Sequence, residues 1–97
     1  MARIMKLKYR VSNNGDNNNV EGAIRSAKNG VVLLDIGNAV GVYDANTLNG
    51  IASLTSITEV ITDSKDIFAF RTESGTIYVF DVVGTKEGRA TNALQTY

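Results

Sequence analysis

The chain predicts a mainly β domain, α+β in the strict sense: a small curled antiparallel sheet or half-open β-barrel with one short helix after the first strand. Three observations lead there. Beyond Gly30 the sequence is a series of short apolar or alternating runs divided by Gly, Asn and Asp turn signals. Only one stretch, beginning at Val20, spaces its apolar residues as a helix does. The third is the segment "RTESGTIYVFDV", residues 71–82, which completes a hairpin with two apolar faces. A single small sheet with one helix does not easily cover both of them.

Taken in order, residues 4–11 alternate, with Met5, Leu7, Tyr9 and Val11 on one side and Lys6, Lys8 and Arg10 on the other. Period two makes a strand with one buried and one wet face. "SNNGDNNN", residues 12–19, tolerates left-handed backbone and bonds locally, which makes it a loop. It is rich in side-chain oxygen but lacks the spacing of a calcium loop, and Asp16 is its only charge. "VEGAIRSAKNG", residues 20–30, then forms one helix. Asn18 or Asn19 caps it, Glu21 sits in its first turn, Lys28 near its end, and Asn29-Gly30 stops it. Val20, Ala23, Ile24 and Ala27 share the face that lies on the sheet.

Four or five antiparallel strands follow. "VVLLDI" and "AVGVYDA" flank the two-residue turn Gly37-Asn38, and the continuous apolar run from Val31 to Leu34 reads as a strand covered on both sides. Gly41, inside the second of these strands, marks a bulge or a close backbone approach. A turn is expected at Asn49-Gly50, then an extended "TSITEVIT", then a polar turn over residues 63–66. If Glu73-Ser74-Gly75 is a three-residue hairpin loop with Gly75 left-handed, Thr72 opposes Thr76, Phe70 opposes Tyr78 and Phe68 opposes Phe80. Ile67, Ala69, Ile77 and Val79 occupy the other face, with Arg71 and Asp81 at its ends. Such a hairpin needs a closed or strongly curled barrel with the helix outside, or a second subunit against one face. Residues 1–85 thus make one β-rich domain, and residues 86–97 a polar C-terminal tail or arm.

Composition removes much chemistry. With 97 residues the core is thin. There is no cysteine and no histidine, which excludes disulfides, thiolate sites, Ser-His-Asp and Cys-His nucleophiles and most zinc chemistry. No cofactor or metal is expected, and a cytoplasmic location without membrane contact fits by default. Asp35, Asp44 and Asp81 lie in or beside strands, but no second catalytic group stands at a recognisable spacing from them. Gly37-x-x-x-Gly41 lacks the Lys-Ser/Thr ending of a phosphate loop. The chain reads as a protein that is not an enzyme.

Formal net charge is zero, yet residues 1–30 hold six basic groups against Asp16 and Glu21, and residues 31–85 hold seven acids against Lys65 and Arg71. The two halves neutralise each other within one fold, or the basic third steers a partner. The leading reading is a non-enzymatic, homo-oligomeric binding protein. It acts by occupying a partner protein or by sequestering a small ligand, anionic or nucleotide-like, between subunits. Its candidate contacts are Arg10, Arg25, Arg71, Tyr78 and Arg89, because arginine and tyrosine dominate binding hot spots. The alternative is a small β-barrel that binds nucleotides or single-stranded nucleic acid through the basic N-terminal third, where Lys6, Lys8, Arg10, Arg25 and Lys28 form one surface. The zero net charge speaks against it. In length, asparagine content and lack of a catalytic signature the chain resembles the small accessory proteins that bacterial viruses carry, inhibitors among them. That likeness lies in composition and covers no motif.

Overall fold

A computed structural model describes residues 2–11, 18–86 and 95–97. Its elements are β1 (Ala2–Val11), α1 (Asn18–Ser26), β2 (Val31–Asp35), β3 (Ala39–Asp44), β4 (Gly50–Thr55), β5 (Ile57–Asp63), β6 (Ile67–Thr72), β7 (Ile77–Lys86) and β8 (Gln95–Thr96). Seven strands run antiparallel in the order β4-β3-β2-β1-β7-β6-β5, and β8 adds to β2. The edge strands β4 and β5 follow one another in the chain with only Ser56 between them. One residue spans no more than about 7 Å between its neighbours, so the two edges must converge there and the sheet must curl. The Glu73 N–H donates to the Ser56 carbonyl at 2.9 Å, and the Ser74 N–H to Thr55 Oγ1 at 3.3 Å, which ties the β6–β7 turn to this corner. β4 and β5 do not pair along their length. The result is the curled sheet, or half-open barrel, that the sequence predicts, with seven strands after the helix among the described residues, the two-residue β8 included, rather than four or five.

The β6–β7 hairpin keeps the expected register: Phe68 opposes Phe80 and Phe70 opposes Tyr78. Gly75 is left-handed at φ +88°, and the Thr72 N–H donates to the Thr76 carbonyl at 3.0 Å. The four rings pack inside the curl with centroids 5.3–6.3 Å apart, Phe68 and Phe70 tilted and the other pairs stacked, each pair adding about 0.5–1.5 kcal/mol beyond its buried area. One continuous core joins them to Met5, Leu7, Val31, Leu33, Val40, Val42 and Leu54, which only the concave side of the sheet allows. The buried hydroxyls of Thr72 and Thr76 are both satisfied through Ser74 Oγ, at 2.9 and 3.2 Å.

Three local expectations need correction. The helix does not lie outside the barrel: Ile24 and Ala27 belong to the main core, and α1 spans the concave face between β1 and β4. The open curl leaves that part of the core bare, and the stripe of Val20, Ile24 and Ala27 is what covers it. The helix also runs from Asn18 to Ser26, so its capping position falls before Asn18, outside the described residues. The expected turn at Asn49-Gly50 lies earlier instead. Asp44 accepts from the N–H groups of Asn46 at 2.7 Å and Thr47 at 3.0 Å, and Leu48 takes the left-handed conformation at φ 64°. Leu48 tolerates it because its side chain packs in a second small core with Ala2, Ile4, Val32, Tyr43 and Ala45 on the convex side.

The third correction bears on function. β1 does not alternate throughout. Leu7 pairs with Phe80 and Tyr9 with Val79, so Lys8 is an extra, bulged residue. Met5 and Leu7 point into the core as expected, but Tyr9 and Val11 turn outward and Arg10 turns in. The C-terminal residues return to the domain: Gln95–Thr96 pair with Asp35 and Leu34, and the Tyr97 ring stacks on Phe68 at 5.8 Å.

Candidate functional site

The bulge at Lys8 builds a surface that alternation would have dispersed. Register places Tyr9 beside Val79 and Val11 beside Ile77, then Ala69 beside Val79 and Thr62 beside Ala69. These residues form rows across β1, β7, β6 and β5 on the convex face of the sheet. Between them runs a groove of ≈ 380 Å³ lined by Lys8, Tyr9, Val11, Ile61, Thr62, Ile67, Ala69, Ile77 and Val79. Ala69 and Val79 make a buried floor, flanked by half-buried Ile67 and Ile77. Tyr9, Val11 and Ile61 stand on the rim with 50%, 51% and 45% of their surfaces exposed.

Among the described residues six large apolar side chains are exposed, and three of them are these. Scattered apolar residues on a surface mean little, but a contiguous patch marks a place where something binds. Charge frames the patch at two opposite ends. Arg71 is paired with Glu59 across β6 and β5, and Lys6 opposes Asp81 across β1 and β7. Arg71 therefore pairs with the neighbouring edge strand and not with Asp81, which lies at the far end of the hairpin.

Of the described residues expected to make contacts, Arg10 and Arg25 meet at one carboxylate, while Arg71 and Tyr78 lie elsewhere in the sheet. Arg10 is turned into the fold with 3% of its side chain exposed, 3.4 Å from Glu21. Arg25 shares that carboxylate at 3.2 Å and donates to two backbone carbonyls of β1, Leu7 at 2.9 Å and Lys8 at 3.2 Å. The hydrogen bond from Arg25, helped by Arg10, holds the Glu21 carboxyl below its usual value. Tyr78 lies in the aromatic core between Phe70 and Phe80. Arg71 stands opposite the groove residue Ile77, and Arg89 lies outside the described residues.

The three aspartates weighed as catalysts are spread apart. Asp35 accepts from the Gly37 N–H at 2.9 Å at the tip of the β2–β3 hairpin. Asp44 organises the next turn, and the N–H groups of Thr47 and Asn46, with the Lys86 charge nearby, lower its pKa. Asp81 stands opposite Lys6. Among the described residues no three carboxylates gather as metal ligands, and no helix is long and apolar enough to cross a membrane.

Sequence reasoning missed Tyr9, Val11 and Ile61 for one reason. Bulges at Lys8 and within "EVIT" shift the phase of β1 and β5, and neither carries the glycine that would announce it. Compared with known proteins, the chain matches no family model, no curated protein and no solved structure.

Proposed function

We propose that this chain is a non-enzymatic binding protein that assembles with a second copy of itself through the convex groove of β1, β7, β6 and β5. The observation that carries this reading is the concentration of exposed Tyr9, Val11 and Ile61 around one apolar floor. Four strands about 4.8 Å apart present a face roughly 20 Å across. That is the scale of a small to standard interface of about 800 Å² per partner, or roughly one seventh of the 5511 Å² accessible surface. Around the apolar centre lie charges of both signs, as a self-complementary two-fold contact requires. A tyrosine with its ring half bare is the residue type most used as an interface anchor.

Native mass spectrometry and sedimentation of the full chain test this. The expected species is a multiple of the 10.4 kDa chain. The pair Tyr9→Ser and Ile61→Lys, both at exposed positions, should weaken assembly by at least about tenfold, because a charge placed in an apolar contact must be desolvated. Circular dichroism should stay unchanged. A wild-type protein that remains a 10.4 kDa monomer would overturn self-assembly. So would co-purification of that monomer with a foreign protein released by the same substitutions, which would instead make the groove an inhibitor's contact surface.

A further inference from the structure

A second recess lies on the other side of β1. β1 and β2 are bridged only at Met5 and Val31, and from there α1 takes the place that a neighbouring strand would fill. Arg25 bonds to the carbonyl oxygens of Leu7 and Lys8 as a substitute for strand pairing. Between strand and helix remains a notch of ≈ 300 Å³ lined by Lys6, Leu7, Ile24, Arg25, Ala27 and Lys28. Half of this lining is cationic and half apolar, and none of it is acidic.

Three cations around one recess repel each other unless something offsets them. Two carboxylates stand near: Glu21 is already shared by Arg10 and Arg25, and Asp81 lies opposite Lys6 on β7 without forming an ion pair with it. The C-terminal end of α1, whose last turn holds Arg25, offers only about half a negative charge. Lys6 and Lys28 are exposed, and neither makes an ion pair among the described residues. Arg25, by contrast, is held by three acceptors, so one wall of the notch is rigid and two cations are free to close on a ligand.

We propose that this notch binds a small amphipathic anion: a phosphate or carboxylate group carried on an apolar or aromatic body. The anionic group sits between Lys6 and Lys28, beside the guanidinium of Arg25. The body lies on Leu7, Ile24 and Ala27, and the volume is at the small end of ligand pockets. This site shares no lining residue with the convex groove, although Lys6 stands at one end of that groove, and it does not depend on self-assembly.

Phenyl phosphate, inorganic phosphate and phenol, titrated separately into the full chain and followed by amide chemical shifts, test it. Phenyl phosphate should shift the amides of Lys6, Leu7 and Ile24 through Lys28 saturably. Inorganic phosphate should bind the same place more weakly, and phenol should not bind there. Lys6→Ala and Lys28→Ala should each weaken phenyl phosphate about 2- to 5-fold, the range of an exposed ion pair, and added salt should weaken it further. Tyr9→Ser should leave it unchanged. No saturable shift at these amides, equal binding of phenol, or undiminished affinity in a folded Lys6→Ala/Lys28→Ala double variant would each overturn the proposal.

Discussion

A methyl group added at Gly30 would lie 2.7 Å from Ile4 Cγ2 and 3.0 Å from the Met5 carbonyl oxygen, on a backbone with φ +91°. At Gly41 the same addition meets only the far end of the Tyr43 ring, 2.6 Å from Cε1, with no unusual φ. Tyr43 is half-buried and can swing toward solvent, whereas the β1 backbone beside Gly30 cannot yield. Gly30→Ala should therefore cost about 2–4 kcal/mol, from strain and overpacking together. Gly41→Ala should cost about 1 kcal/mol. Urea unfolding of both variants checks the order; equal costs would mean that Tyr43 is as fixed as the β1 backbone. The same scale explains the arginines. Arg10 and Arg25 have the chemistry of binding residues, but each finds a carboxylate or carbonyl inside the chain. A residue type says what a side chain can bond to; it does not say whether the partner is internal.

At the level of elements, β1 shows how one residue redirects a strand. Because Lys8 is the bulged residue, removing it joins Leu7 to Tyr9 and leaves Tyr9 opposite Val79, facing out. Deletion of Lys8 should keep the fold and cost about 1–2 kcal/mol, chiefly the lost bond from Arg25 to the Lys8 carbonyl and the altered twist. In a regular strand with Tyr9 inside, the same deletion would turn Tyr9 and Val11 out of the core and unfold the protein. The amide spectrum of the deletion variant separates the two outcomes. The hairpin of β6 and β7 behaved differently because its register rests on a local turn. Glu73-Ser74-Gly75 sets the loop length, and the loop length sets which aromatic opposes which. In β1 and β5 no local signal marks the bulges, and neighbouring strands impose them.

For the molecule as a whole, ion pairs join segments far apart in the chain. Arg3 bonds Asp63 at 2.6 Å and lies over the Phe68 ring at 4.5 Å, so the N-terminal strand is tied to the edge strand β5 across the concave face. Glu21 ties α1 to β1, and the Asp44 turn receives Lys86 from the end of β7. Both Glu21 and Asp44 have pKa values lowered in the fold from usual values of 4.5 and 3.8. Their contribution is therefore complete above about pH 4.5 and is lost as the pH falls through the lowered folded values. Stability measured by urea unfolding should be flat from neutral pH down to about pH 5 and then decline. Glu21→Gln should remove part of that decline while lowering stability at pH 7. A variant with the same acid profile as the wild type would show that Glu21 is not held by its arginines.

What the sequence determined by itself was local or periodic: the absence of histidine and cysteine chemistry, the single helix, the two tight β-hairpins with their turn residues, and the aromatic pairs of β6 and β7. Each follows from spacing within about ten residues, where backbone preferences and side-chain periodicity act directly. The tertiary structure alone decided which side of the sheet the helix covers, where β1 and β5 bulge, and so which apolar residues reach the surface. Those outcomes depend on how seven strands share one curled core. Ser56 forces both sheet edges to one corner, the curl sets how much of the concave face remains bare, and the strands shift phase to fit it. Tyr9 and Val11 carry the same apolar pattern as Met5 and Leu7. Only packing against Phe80 and Val79 determines that one pair is core and the other is exposed.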